Sequence, residues 1–110
     1  MIHLWYVFLD VRKIHIAGSV GPYGASLHDG SEYSGKYVEY VSEEELRQWH
    51  RPRIEALIEA GVDLLAFETI PAQKEAEVLL YLLKDFPQQK CWISFTCKVS
   101  IMDICQFYEV

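Results

Sequence analysis

The sequence predicts an α/β fold built on a parallel sheet, and two observations carry that prediction. In Gly61–Pro71 (GVDLLAFETIP) a glycine closes one helical pattern, an apolar run follows, and a proline opens the next. The run Leu64–Phe67 does not alternate, as expected of a strand covered on both faces. Along the chain, strand-like and helix-like stretches follow the order β–loop–α–β–α–β, which calls for right-handed crossovers between parallel strands. In such sheets ligands bind at the carboxyl ends of the strands. Glu68 and Thr69 stand at that end of the central strand, so Glu68 is the first candidate for a binding residue.

The elements take their places as follows. Met1–Lys13 carries no turn grammar and stays unassigned. Ile14–Ser19 (IHIAGS) alternates loosely and reads as the first strand. A loop then runs through Gly18, Gly21, Pro22, Gly24 and Asp29-Gly30. Its glycine spacing is not the dinucleotide fingerprint, and Pro22 removes a backbone donor that a phosphate cradle would use. These glycines let backbone approach either a ligand or a neighbouring loop. Tyr23, Tyr33, Tyr37 and Tyr40 either line a pocket or pack over this long loop.

Ser42 with Glu45 forms a capping box, opening a helix that runs to about Ala60. Leu46, Trp49, Leu57 and Ala60 are read as its apolar face. Pro52 lies inside it and is expected to kink or split it. His50 is placed at the surface or boundary, because no second His or Cys stands one turn away to make a metal pair. Gly61 suits the left-handed residue that ends a helix. Ala72–Asp85 is a second amphipathic helix, with Ala76, Leu79, Leu80 and Leu83 on one face, and Phe86-Pro87 stops it. Lys90–Thr96 (KCWISFT) is β-branched and aromatic and makes the third strand. Val99–Val110, with Asp103 and Cys105, has no assignable pattern.

Composition excludes several classes. The chain has 110 residues, which allow at most one domain. No apolar run approaches the roughly 18 residues of a membrane span, and the short run Leu4–Leu9 lacks the basic flank of a secretory signal. A cytoplasmic setting follows as the expectation. The formal charge of −6, with no basic cluster beyond Arg51 and Arg53, argues against nucleic acid. Three cysteines, Cys91, Cys97 and Cys105, make no CxxC pair and suggest neither a disulfide framework nor a zinc site of their own.

Several separated motifs nevertheless resemble one family in order: AGSVGPYGA (Ala17–Ala25), DGSEYSG (Asp29–Gly35), WHRPRIEAL (Trp49–Leu57), AGVDLLAFETIP (Ala60–Pro71) and WISFTCK (Trp92–Lys98). Together they are similar to the homocysteine S-methyltransferases, which move a methyl group from a donor such as S-methylmethionine to homocysteine. The resemblance implies a TIM barrel, of which residues 14–98 would supply about the third to fifth strands. A whole barrel takes about 250 residues, so the chain reads as a central fragment, with residues 1–13 and 99–110 unassigned.

The resemblance also implies zinc, held by three cysteines late in the barrel, whose role is to lower the pKa of the substrate thiol. Cys91, Cys97 and Cys105 do not stand in the matching contexts, and no metal ligand carries over. Glu68 does carry over, as the carboxylate that holds the amino group of homocysteine. Ser19 and Thr96, at the ends of the flanking strands, are the weaker candidates for polar contacts. The competing expectations are a non-catalytic fragment that pairs its open sheet edges, and an unrelated barrel enzyme with a phosphate ligand. The second is disfavoured because barrel phosphate sites come from later strands.

Overall fold

Residues 14–97 are described by a computed structural model. Residues 1–13 and 99–110, with Asp103 and Cys105, lie outside the described residues, as does Lys98. Three strands, β1 (Ala17–Val20), β2 (Leu64–Ile70) and β3 (Lys90–Phe95), form one sheet in the order β1-β2-β3. Both pairings are parallel, with Ala17 opposite Leu64 and Leu64 opposite Lys90. The parallel α/β reading of the sequence therefore holds. Two helices make the crossovers: α2 (Glu43–Glu59) between β1 and β2, and α3 (Gln73–Leu82) between β2 and β3. The link from β1 to α2 contains 3-10 turns at Tyr23–Leu27 and Lys36–Glu39, with the single-turn helix α1 (Ser31–Ser34) between them.

The core forms where β2 meets the two long helices. Leu65, Phe67 and Ile70 of β2 are fully buried, as are Leu46 and Ile54 of α2 and Leu79 of α3. Burying a side chain of this size contributes about 1.5–3 kcal/mol, so β2 is the strand the fold is assembled upon. By contrast β3 is exposed along most of its length, with Trp92 and Phe95 about half accessible.

The helix α2 starts as the sequence indicates. The Ser42 side chain accepts from the Glu45 amide at 3.1 Å, and Glu45 accepts from the Ser42 amide at 2.8 Å. It ends at Ala60, followed by Gly61 at φ 87°, a left-handed residue that only glycine adopts without strain. Two features differ from expectation. Pro52 does not split the helix, which runs unbroken from Glu43 to Glu59. The Arg53 guanidinium donates to the Trp49 carbonyl at 2.6 Å and lies over the Trp49 ring, so the turn around the proline gains a side-chain donor. The buried stripe is also rotated: it is Leu46, His50 and Ile54, while Trp49 and Leu57 are only half-buried and Ala60 is exposed. On α3 the stripe is likewise Glu75, Ala76, Val78, Leu79 and Leu82, leaving Leu80 exposed.

The capping box generates a prediction. Hydrogen bonds from Ser42, its backbone amide first, hold the Glu45 carboxyl below its ordinary pKa. A depressed carboxylate stabilises the fold above the ordinary carboxylate range, and that contribution is lost as pH falls through the folded-state value. Ser42→Ala is expected to cost about 0.5–2 kcal/mol. Helicity followed by circular dichroism should then lose part of its acid dependence in Glu45→Gln, and an unchanged acid limb would exclude the cap as its source.

Candidate functional site

Glu68 and Thr69 interrupt the β2–β3 pairing. The register shifts between Phe67 and Ile70, so this is a bulge at the carboxyl end of the central strand. Bulges re-aim side chains and are common beside active sites. Thr69 sits at φ 58°, a left-handed conformation that is uncommon and costly for a β-branched residue. The surroundings hold it there. Its amide donates to Ser94 Oγ at 3.0 Å, its hydroxyl donates to the Glu68 carbonyl at 2.6 Å, and its carbonyl accepts from Thr96 Oγ1 at 3.2 Å.

The three residues singled out from the sequence meet at this end of the sheet. Ser19 Oγ on β1 donates to Glu68 Oε1, which leaves Oε2 free of that bond. Thr96 spends its hydroxyl on the bulge, and its amide donates to the Ile70 carbonyl at 3.0 Å. Glu68 has no Lys or Arg partner among the described residues. Two concave regions lie at this end of the sheet, lined by neighbours of Glu68 and not by Glu68 itself. One of about 480 Å³ is lined by Ser19, Gly21, Ala25, Trp49, Arg53 and Leu57, among others. The other, about 370 Å³, is lined by Pro22, Ala25, Glu32, Tyr33, Thr69 and Thr96.

The loop Pro22–Ala25 walls both cavities, and what fixes it was not legible as a site. Glu75, on the first turn of α3, is completely buried. Its Oε1 accepts from the Tyr23 amide at 2.7 Å and lies 2.6 Å from His50 Nε2; its Oε2 accepts from the Tyr37 hydroxyl. His50 is fully buried and not a surface or boundary residue, because this carboxylate gives its ring a partner inside the core. Burial, and then the hydrogen bond to Glu75, push the Tyr37 hydroxyl far above its ordinary pKa, so it remains a donor.

Tyr23 packs edge-on against Trp49 at 5.4 Å and tilted against Tyr37 at 5.6 Å. Gly24 serves the neighbouring loop and not a ligand: a Cβ there would fall 2.4 Å from the Tyr37 ring and 2.8 Å from the Glu32 amide nitrogen. Tyr33 and Tyr40 are exposed, so the tyrosines divide between packing and surface. The signal for Glu75 and His50 was present as spacing, since each lies on the buried stripe of its helix.

The described residues do not fit a zinc ion. Cys91 and Cys97 are free and exposed, partial desolvation raises the Cys91 thiol, and no group of three His, Cys, Asp or Glu could hold a metal. No described helix is long and apolar enough to cross a membrane.

A parallel sheet with a carboxylate on a bulge at its carboxyl end is an α/β arrangement, and sheets of that kind bind ligands at this end of their strands. The model of the homocysteine S-methyltransferase family matches residues 5–106, and the chain belongs to that family. It is 59% identical over 90 residues to homocysteine S-methyltransferase YbgG of Bacillus subtilis, covering 82% of this chain and 28% of that protein. It is 57% identical over 83 residues to betaine-homocysteine S-methyltransferase of Drosophila melanogaster, covering 74% and 25% respectively. The crystal structure of the Escherichia coli homocysteine methyltransferase MmuM, metallated form, superposes with a TM-score of 0.76 at 46% identity. That match covers 88% of this chain and 34% of the other. The chain thus spans about a quarter of the length of these curated relatives.

The buried cluster generates the second prediction. Glu75→Leu leaves the Tyr23 amide, the Tyr37 hydroxyl and His50 Nε2 without their acceptor, which should cost about 3–5 kcal/mol. Tyr37→Phe should cost about 1–3 kcal/mol. A raised tyrosine pKa stabilises the fold below the ordinary value of about 10, and that contribution is lost as pH rises beyond it. Urea denaturation across the alkaline range should show a decline that is smaller in Tyr37→Phe. Equal alkaline slopes would remove Tyr37 from the account.

Proposed function

We propose that this chain takes part in methyl transfer to the thiol of homocysteine, as the segment that holds the substrate's amino-acid end. The observation that carries the reading is the Glu68 carboxylate, unpaired by any cation among the described residues, on a bulge at the carboxyl end of β2. A carboxylate at an apolar mouth is costly until it meets a cation, and the ammonium of homocysteine supplies one. Ser19 orients Oε1, leaving Oε2 for the ammonium, and Thr96 supports the bulge that aims the side chain. Family membership and the identity to the B. subtilis relative support this assignment.

The same proposal places residues 14–98 within a TIM barrel as about its third to fifth strands. The exposed Trp92 and Phe95 on β3 support it, since apolar strand residues of this size need cover. The methyl donor is an onium compound, S-methylmethionine or betaine, the latter being the donor in the name of the Drosophila relative. Zinc, where the whole enzyme uses it to make the thiolate, would be held by residues other than those described. The setting proposed is cytoplasmic, with neither nucleic acid nor membrane as partner; the acidic charge of −6 agrees with the first exclusion.

A chimera tests the reading: residues 16–97 of this chain replace the matching segment of the full-length B. subtilis relative. It should transfer methyl groups to homocysteine, whereas the 110-residue chain by itself should not. In the chimera Glu68→Gln removes a charge-assisted hydrogen bond worth about 1.5–3 kcal/mol, and homocysteine should bind roughly ten- to 150-fold more weakly. Unchanged affinity with lowered thermal stability would make Glu68 a structural residue and end the proposal.

A further inference from the structure

The strand β3 stands last in the order β1-β2-β3, and no described strand pairs with its far side. The Thr96 amide donates to the Ile70 carbonyl, which sets the direction of the backbone groups along the strand. By alternation those of Ser94 and Trp92 face β2, and those of Cys91, Ile93 and Phe95 face outward. The usual guards of a strand edge are missing here. Lys90–Phe95 contains no proline, the bulge puts its extra residue in β2, and the one charge is Lys90 at the start. Trp92 and Phe95, on opposite faces, are both half-exposed. Such an edge is a template for a further strand.

Charge selects the occupant. Neither Lys90 nor Glu68 belongs to an ion pair among the described residues. Gly18 meets Leu57 of α2, so the row Gly18, Leu65, Cys91 faces the helices and the row Ser19, Ala66, Trp92 faces away. Lys90 alternates onto the face of Trp92, and Glu68 accepts from Ser19 on that same face. The two charges lie at opposite ends of it, Lys90 at the start of β3 and Glu68 near the end of β2. A two-fold axis reverses one copy against the other and brings each charge towards its complement.

We propose that β3 pairs with β3 of a second copy of this chain, antiparallel, across a two-fold axis at Ile93. Ile93 then faces its own counterpart, Cys91 faces Phe95 of the second copy, and Lys90 faces Thr96, one strand away from Glu68 of that copy. The outward groups of Cys91, Ile93 and Phe95 exchange both backbone bonds with the residues they face. Trp92 lies diagonal to its counterpart, which an aromatic side chain reaches. The two three-stranded sheets become one mixed sheet, parallel within each copy and antiparallel at the join. This contact closes on itself, whereas β1 stacked on β3 of the next copy repeats without end. The inference is independent of methyl transfer. In the barrel proposed above the following strand takes this edge, so that strand and a second copy exclude each other.

The test is sedimentation equilibrium of the 110-residue chain, with amide hydrogen exchange on the same samples. With rising concentration the mass should climb from that of one chain to that of two and stop there. The amides of Cys91, Ile93 and Phe95 should gain protection in step with the dimer. Lys90→Glu sets like charges together and should raise the dissociation constant about tenfold or more, and adding Glu68→Lys to it should restore the dimer. A chain that stays single overturns the proposal, as does a species that keeps growing or a dimer whose three amides exchange freely. A double variant no tighter than Lys90→Glu alone overturns the antiparallel join. Exchange in the unsubstituted chain decides the matter even where a charge variant fails to fold.

Discussion

The buried carboxylate of Glu75 is the constraint on which the carboxyl-end loop depends. It gathers an amide from the loop after β1, a hydroxyl from the 3-10 turn before α2, and an imidazole from α2 itself. Packing of Tyr23 on Trp49 and Tyr37 joins the same three segments, although β1 is only four residues long and the link from it to α2 is mostly irregular. A lone carboxylate in such a core would be strongly destabilising, but one with three donors is an organising centre with a single satisfactory geometry. Glycine at position 24 is part of the same arrangement, because any side chain there would meet the ring of Tyr37. The wall shared by both cavities is thus fixed from behind by groups that line neither of them.

In front of that wall the sheet carries a different device. The bulge at Glu68 and Thr69 breaks the parallel pairing where a continued strand would have alternated its side chains in register. The left-handed Thr69 is held by Ser94, Thr96 and its own hydroxyl. Strain of about 1–3 kcal/mol at such a residue persists only where neighbours over-determine it. Here those neighbours are Ser94 of β3, the least buried of the strands, and Thr96 just beyond it, so the end of an exposed strand helps to set the aim of a carboxylate on the central one.

Much of this was legible in the sequence, for identifiable reasons. The unalternating run of β2, the capping box at Ser42 and the glycine at 61 are local signals, and local signals survive folding. The end of β2 and the meeting of Ser19, Glu68 and Thr96 followed from parallel topology. The centre of the fold did not. His50 was placed at the surface or boundary for want of a second metal ligand and Glu75 was given no role, although Leu46, His50 and Ile54 share a helical stripe and Glu75 adjoins that of α3. Pairing between His50 and Glu75, 25 residues apart on different helices, is non-local, and periodicity within either helix does not reveal it. At Pro52, where a kink or a split was expected, the split is absent, because tertiary packing holds a helix together across a break that would open an isolated one.

The account turns on Glu75 holding the loop, and exchange of the Tyr23 amide hydrogen reads that contact directly. Its N–H donates to Glu75 Oε1 at 2.7 Å from a short 3-10 turn that offers little protection of its own. The predicted result is exchange slowed to the level of the buried β2 amides, with protection lost first at Tyr23 in Glu75→Leu, which has no acceptor there. Rapid exchange of Tyr23 in the unsubstituted chain, at the rate of an exposed loop, would contradict the account.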